Sequence, residues 1–246
     1  MRETTLIDLS RMMALRTKLD VAANNVANLE TTGFRAQQLS FQEYLAPIKD
    51  QEVGAKPERP LSLVDATSAF TSSSVGAIQT TGNPLDFAID GNAYFAVQTD
   101  HGERYTRDGS FTLDGTGRLV TMDGQPVLAG GGVVTVPPEA GEITVDSSGQ
   151  ISTKQGALGR LRLVSFASRT SLQAVGGNLF ESDRTPNETN ASSVRILQGA
   201  VERSNVQATF EMSRVAEINR SYEMAGKLLK DTQNVDDLKK LANVPE

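Results

Sequence analysis

The chain of 246 residues has no cysteine and no tryptophan, and its single histidine is His101. Without cysteine there can be no disulfide, thiolate metal site or cysteine nucleophile. One histidine speaks against His-based triads and multi-histidine metal sites. Hydrophobic residues make up only 38 % and aromatics 5 %, low for a globular enzyme of this size, so a modest core with much exposed or intersubunit surface is expected. No run approaches the roughly 18 apolar residues of a membrane span. The opening MRETTLIDLS has two acids in its first eight residues and no apolar core, so no cleavable secretory signal is expected.

Charge of one sign is also scarce at the ends. Residues 1–40 together with 200–246 carry twelve basic and twelve acidic side chains, and the whole net charge of −6 falls between them. That distribution lacks the basic footprint of a nucleic-acid binder. Neutral ends suit close packing among like copies, because self-repulsion is small.

What is present is helical spacing at both ends. Met12, Leu15, Leu19, Ala22, Val26 and Leu29 alternate steps of three and four, and so do Val215, Ile218, Tyr222, Ala225 and Leu229. Such seams predict helices packed lengthwise on other helices, within the chain or between copies. The first seam runs through LDVAANNVANLETTGFR, where Asn24, Asn25 and Asn28 interrupt a row of alanines. Asparagine is a mediocre helix former that needs partners when buried. Thr31, Thr32 and Gly33 then read as a helix stop, with Gly33 suited to positive φ, and Phe34 as an anchor. Ser204 or Asn205 could cap the last helix, and Val235, Leu238 and Leu241 suggest that it continues past Asp231.

Between the helices the pattern changes. Residues 36–60 hold a short helical or extended segment (Phe41, Tyr44, Leu45) that fades into the polar KDQEVGAKPERP, and residues 61–84 alternate weakly. An extended connector or hairpin arm is expected there. From Pro84 onward, short β-rich runs are punctuated by Asp90-Gly91, Asp108-Gly109, Asp114-Gly115 and Asp123-Gly124. Asp-Gly accepts the positive φ of tight hairpins, so a small antiparallel β domain follows. Residues 170–193 read as a polar loop.

No catalytic pattern survives inspection. Asp114-Gly115-Thr116-Gly117 lacks the second carboxylate that aspartic-protease chemistry needs. Val120 stands where a dinucleotide fingerprint beginning at Gly115 and Gly117 requires glycine. The Gly130–Gly132 run precedes a strand, which offers no helix N-terminus to a phosphate. His101 lies in a predicted hairpin loop. The sequons at Asn187 and Asn190 carry little weight without a secretory signal. Two classes of function stay open on the residues alone. One is a non-enzymatic assembly subunit; the other is a secreted hydrolase using Asp86, Asp90 or Asp114, with the helices as a dimerisation clasp.

Two terminal motifs and the middle resemble one family. The segment with Asn24, Asn25, Ala27, Asn28, Thr32, Gly33, Phe34 and Arg35 resembles the N-terminal motif of flagellar rod and hook proteins. The C-terminal motif is matched through Ser204, Asn205, Val206, Glu211, Met212, Ile218, Arg220, Tyr222 and Glu223, and PLDFAIDGNAYFAVQT is similar to the family's β domain. LGRLRLVSF and VRILQGAVERSNV look most like the proximal rod members. The longer segment after the first helix of distal rod members is not evident, and Arg203 departs from the glycine common in proximal ones.

The resemblance implies an α+β fold of the flagellar hook/rod type. The N- and C-terminal helices would pair as a coiled-coil-like domain around a central all-β domain and an extended connector. The expected boundaries are 1–35 for the N-terminal helix, 36–83 for the connector, 84–199 for the β domain and 200–246 for the C-terminal helix. It implies a torque-transmitting rod subunit with no enzymatic activity, cofactor or metal, no nucleic-acid partner and no membrane insertion. Its partners would be itself, other rod subunits and the flagellar type III export apparatus, and its place the basal-body rod crossing the periplasm. The expected assembly interface comprises Met12, Leu15, Leu19, Asn24, Asn25, Asn28, Gly33, Phe34, Ser204, Asn205, Val206, Val215, Ile218, Arg220, Tyr222 and Leu229. The three asparagines are expected to bond between subunits, where a buried polar group can set register.

Overall fold

The structure, a computed structural model, describes residues 2–46, 61–72, 74–166, 172–189 and 194–242. They form an α+β chain with a helix at each end and a β-rich centre. The chain divides into two compact units, one helical (1–27, 37–70 and 207–246) and one β (28–36 and 71–206).

In the helical unit, α1 (Arg2–Ala27) packs on α2 (Ala208–Ala242), and β1 (Gln37–Ala46) pairs with β2 (Leu61–Thr71). Alternating three- and four-residue steps do give long helices, but the buried line on α1 is rotated from the expected one. Ala14, Val21, Ala22 and Asn25 are buried, whereas Met12, Leu15, Leu19 and Val26 are only half-buried. Leu29 lies beyond the end of the helix. On α2 the buried line is Glu211, Ile218 and Ala225, at seven-residue steps, with Val215 and Leu229 half-buried and Tyr222 exposed. Ala14, Ala22 and Ala225 leave room for the helices to approach, and Val21 and Ile218 fill the contact between them. Ser204 and Asn205 do not cap α2, whose first described turn closes with Glu211 N donating to the Gln207 carbonyl at 3.0 Å. Among the described residues, no helix is long and apolar enough to cross a membrane.

The β unit is organised by strand Tyr94–Thr99, which sits inside a six-stranded antiparallel sheet. Its neighbours are Gly102–Thr106, Leu179–Ser182 and Leu172–Gly176 on one side, then Leu163–Ser165 and Asn187–Glu188 on the other. Successive side chains of a strand point to opposite faces, and Tyr94–Thr99 uses both. Phe95 and Val97 enter one core with Phe87, Phe111, Leu119 and Ile151, while Tyr94 and Ala96 enter another with Tyr105, Phe166 and Phe180. Phe95 meets Phe111 edge-on at 5.2 Å, and Tyr105 meets Phe166 likewise at 4.9 Å, geometries that aromatic quadrupoles favour.

Three local expectations are corrected. Phe87–Asp90 (β4, after β3 at Ile78–Thr80) does not form a hairpin with the next strand through Asp90-Gly91, but pairs with Arg195–Gln198. The carbonyls of Gly91 and Ala93 are taken by Arg107 Nη1 at 2.9 and 2.5 Å, which holds this stretch open. Asp108-Gly109 is not a hairpin turn either: a Cβ on Gly109 would stand 1.7 Å from the Phe87 carbonyl oxygen, so glycine there permits backbone contact. The expected loop at 170–193 carries strands Leu172–Gly176, Leu179–Ser182 and Asn187–Glu188, in which Leu172, Leu179 and Phe180 are buried.

Asp114-Gly115 does turn, through its side chain. Asp114 Oδ1 accepts from Thr116 N, Thr116 Oγ1 and Arg118 N at 2.7–2.9 Å. Asp146 repeats the arrangement with Ser148 N, Ser148 Oγ and Gln150 N at 2.7–3.0 Å. These bonds hold both carboxyls below their ordinary pKa, the hydroxyls of Thr116 and Ser148 contributing most.

Candidate functional site

The residues of the two terminal motifs divide between the units. Asn24 and Asn25 stay on α1, whereas Asn28 through Ala36 belong to the β unit.

Within the β unit, Gly33 makes the turn at φ +66°, donates its N–H to the Glu202 carbonyl at 2.7 Å, and lies flat on the Arg107–Asp108 backbone. A Cβ there would be 2.3 Å from Asp108 N, so the position needs glycine for both conformation and space. Thr32 donates its hydroxyl to Asp108 Oδ1 at 2.6 Å, and its carbonyl accepts from Asn178 Nδ2 at 2.6 Å. Burial pushes the Asp108 carboxyl above its ordinary pKa, against the pull of the Thr32 and Ser110 hydrogen bonds. Phe34 is buried.

Beneath this turn lies a charged cluster that pattern reading missed. Arg35, Arg107 and Glu202 are 1–2 % exposed. Glu202 Oε2 accepts from Arg107 Nε at 2.7 Å; its Oε1 accepts from Gly76 N at 3.0 Å and Arg35 Nη2 at 3.4 Å. Both guanidiniums stand about 6 Å from the Tyr94 ring (5.8 and 5.9 Å), a cation–π distance. Burial pulls the Arg107 guanidinium below its ordinary pKa, and Glu202 opposes that pull. The three charges come from positions 35, 107 and 202, so no local spacing could reveal the cluster.

Asn205 completes the strand-to-helix turn. Its Oδ1 accepts from Ala36 N at 2.7 Å, and its Nδ2 donates to the carbonyl and hydroxyl of Ser74 at 2.7 and 3.0 Å. Ser204 Oγ accepts from Val206 N at 3.3 Å. Val206 is half-buried. Arg203, the residue that departs from the proximal pattern, is paired with Glu30.

In the helical unit, Asn25 is fully buried and bonds within the chain. It accepts from Gln37 N at 2.8 Å, donates to the Gln37 carbonyl at 3.0 Å, and reaches Glu211 Oε1 at 3.4 Å. The expectation that Asn25 bonds between subunits is therefore corrected: its amide behaves like a strand partner for the first residue of β1. Asn28 accepts from the Thr31 hydroxyl at 3.0 Å inside the β unit, and Asn24 is exposed on α1. The described residues thus bury Gly33, Phe34 and Ile218 and leave Asn205 half-buried. They leave Arg220 and Tyr222 exposed, with Met12, Leu15, Leu19, Val215 and Leu229 at partial burial.

Nothing in the described residues arranges catalysis. Asp86 spends both oxygens on Thr81 and Asn83, at 2.7 and 2.9 Å, and Asp90 is exposed. An open polar cleft of about 570 Å³ includes Asp100, His101, Arg104, Asp123 and Glu181, but Arg104 is bound to Glu181 at 3.1 Å. Among the described residues, no group of three or more His, Asp or Glu could hold a metal ion.

Comparison with known proteins matches these segments one by one. Residues 6–35 match the family described as flagella basal body rod protein. Residues 88–153 match the flagellar hook protein FlgE/F/G D1 domain, and 197–238 the flagellar basal body rod FlgEFG protein C-terminal family. The flagellar basal-body rod protein FlgF of Caulobacter vibrioides is 37 % identical over 228 residues, covering 92 % of this chain and 91 % of that one. FlgF of Mesorhizobium japonicum is 34 % identical over 96 % of each chain, and the rod protein FlgG of Bacillus subtilis 31 % identical over 96 % of each. With identity at this level along nearly its whole length, the chain belongs to the flagellar basal-body rod protein family.

Proposed function

We propose that this chain is a structural subunit of the proximal flagellar rod, assembling helically through α1 and α2 and transmitting torque toward hook and filament. The observation that carries the reading is the 34–37 % identity to FlgF proteins over more than nine-tenths of the chain. The family is one of structural rod proteins, which sets aside the hydrolase alternative.

The helices supply a physical reason for assembly. Leu9, Met13, Met212, Met224 and Leu228 are large apolar side chains left 47–64 % exposed on α1 and α2. Large apolar side chains left exposed on two paired helices suit an interaction site, and covering them with neighbouring copies would extend the α1–α2 pairing into a coiled-coil-like tube. In this reading Met12, Leu15, Leu19, Asn24, Val215, Arg220, Tyr222 and Leu229 face neighbours, and the hook/rod-type β domain lies outside the tube. The connector, the 84–199 β domain and the two ends then correspond to parts of one axial building block. Neighbours would be further copies and other rod proteins. The subunit would reach the periplasm-spanning rod through the flagellar type III apparatus.

Deleting the chain's gene from its source organism tests the proposal. Loss of flagella and swimming, restored by the intact gene, with the chain recovered in purified hook–basal bodies, is the expected result. Normal motility in the deletion strain would overturn it. The 31 % identity to FlgG favours a distal rod protein as the second reading. Cross-linking in purified basal bodies separates them, because a distal subunit must cross-link to hook protein and a proximal one only to rod proteins.

A further inference from the structure

The chain enters or leaves the β unit four times: between Ala27 and Asn28, Ala36 and Gln37, Phe70 and Thr71, and Val206 and Gln207. Inside the β unit, all four passages are gathered on residues 202–205. Gly33 N donates to the Glu202 carbonyl, and Arg203 pairs with Glu30, both on the loop that begins at the first passage. Asn205 N donates to the Phe34 carbonyl at 3.3 Å, and its side chain takes Ala36 N, the last residue before the second passage. The same side chain holds Ser74, and Ser72 N donates to the Ala36 carbonyl at 2.7 Å, which ties in the third passage. Asn205 itself precedes the fourth.

We infer that Asn205 is the pin that binds these passages into one root, so that load arriving along any of them is shared by the rest. The chemistry suits the task. A carboxamide offers one acceptor and two donor hydrogens in one plane, and here the acceptor serves Ala36 while the donor nitrogen serves Ser74. Half-buried at the edge of the unit, Asn205 contributes to neither apolar core, so its polar bonds can be removed without emptying a core. The usual role of asparagine next to a helix, capping it, is not the one it fills. The inference rests on the rod reading only for the source of the load; the pinning itself is a property of the isolated chain.

The test uses the full chain with Asn205→Ala and Asn205→Asp, read by hydrogen exchange and by swimming of the deletion strain. In Asn205→Ala, the amides of Ala36 and Ser72 are expected to exchange roughly tenfold faster or more, since local opening sets their protection. The amides of Phe95 and Val97 should not change. Asn205→Asp keeps the acceptor for Ala36 N and loses only the donor to Ser74, so Ala36, and Ser72 on the Ala36 carbonyl, should stay more protected than in Asn205→Ala. Rods should still form, with swimming near normal in dilute medium and disproportionately slow in viscous medium, where load is high. Unchanged exchange at Ala36 and Ser72 would overturn the pin. Equal loosening at Phe95 and Val97 would do so as well, making Asn205 a folding residue. Failure of Asn205→Ala to build rods would assign it to assembly instead of load sharing. Local release with full swimming in viscous medium would remove the load role and leave the rod reading standing. If the wild-type gene failed to restore swimming, the rod reading itself would fall.

Discussion

Glu202 Oε2 lies 2.7 Å from Arg107 Nε, with both side chains at most 1 % exposed, and the same carboxylate reaches Arg35 through its other oxygen. One buried anion thus serves two buried cations drawn from the N-terminal motif and the β domain. Removing it takes the carboxylate from both guanidiniums and leaves Arg107, whose other bonds go to the carbonyls of Gly91, Ala93 and Ile89, charged in a place water does not reach. Glu202→Ala is therefore expected to cost about 3–5 kcal/mol, the usual penalty for breaking a buried ion pair by deleting one partner. Urea unfolding of the purified chain measures it, and a loss under about 1 kcal/mol would contradict the electrostatic account.

Asn25 gives a prediction that separates folding from assembly. Its amide is spent on Gln37 and Glu211 inside the helical unit. Asn25→Leu strands the Gln37 N–H and carbonyl, and is expected to cost about 1–3 kcal/mol in the unassembled chain, the desolvation penalty of unpaired buried groups. Thermal melting of helical circular dichroism shows this without any partner. A normal melting curve combined with failed rod assembly would return the residue to the intersubunit role.

Gly33 and Gly82 form a matched pair of substitutions. Both have positive φ, +66° and +76°, but only Gly33 has backbone within reach of an added Cβ, at 2.3 Å; Gly82 has nothing within 4 Å. Gly82→Ala should cost roughly the 1–2 kcal/mol of a left-handed alanine. Gly33→Ala should cost clearly more, since the turn must lift off Arg107 and Asp108. Equal losses in denaturant titrations would show that close approach adds nothing at Gly33.

Asp108 makes stability depend on pH. Burial raises its carboxyl pKa. Between the ordinary carboxylate value of about 3.9 and that raised value, the folded chain binds more protons than the unfolded one. The group's contribution is full below the lower bound and declines as pH rises through the upper one. Asp108→Asn keeps an oxygen for the Thr32 hydroxyl and removes the charge, so its stability relative to wild type should improve from pH 3.5 to pH 7. A difference that is flat or moves the other way across these pH values would refute the assignment.

Much of the architecture was legible along the chain because it is written in short-range periodicity. Three- and four-residue steps predict α1 and α2, and alternation with Asp-Gly punctuation predicts a β centre; each depends on neighbours a few positions apart. The motif residues pointed to the family for the same reason, since they are contiguous. Register and partnership were not legible. Asp90-Gly91 has the composition of a hairpin, yet Phe87–Asp90 pairs with Arg195–Gln198, more than a hundred residues away, and Arg107 takes the carbonyls of Gly91 and Ala93. Asn205 has the composition of a helix cap, yet its side chain is claimed by Ala36 and Ser74. Asn25 stands one position from the predicted seam, and small neighbours let the helices close over it. Periodicity, charge and contiguous motifs alone were enough for the two helices, the β-rich centre, the neutral helical ends and the family, but not for the strands within 172–188. Only the tertiary structure decided which charges share a burial site and which polar groups hold the chain passages together. Those choices depend on backbone donors and acceptors brought together from positions far apart, which no local pattern of side chains encodes.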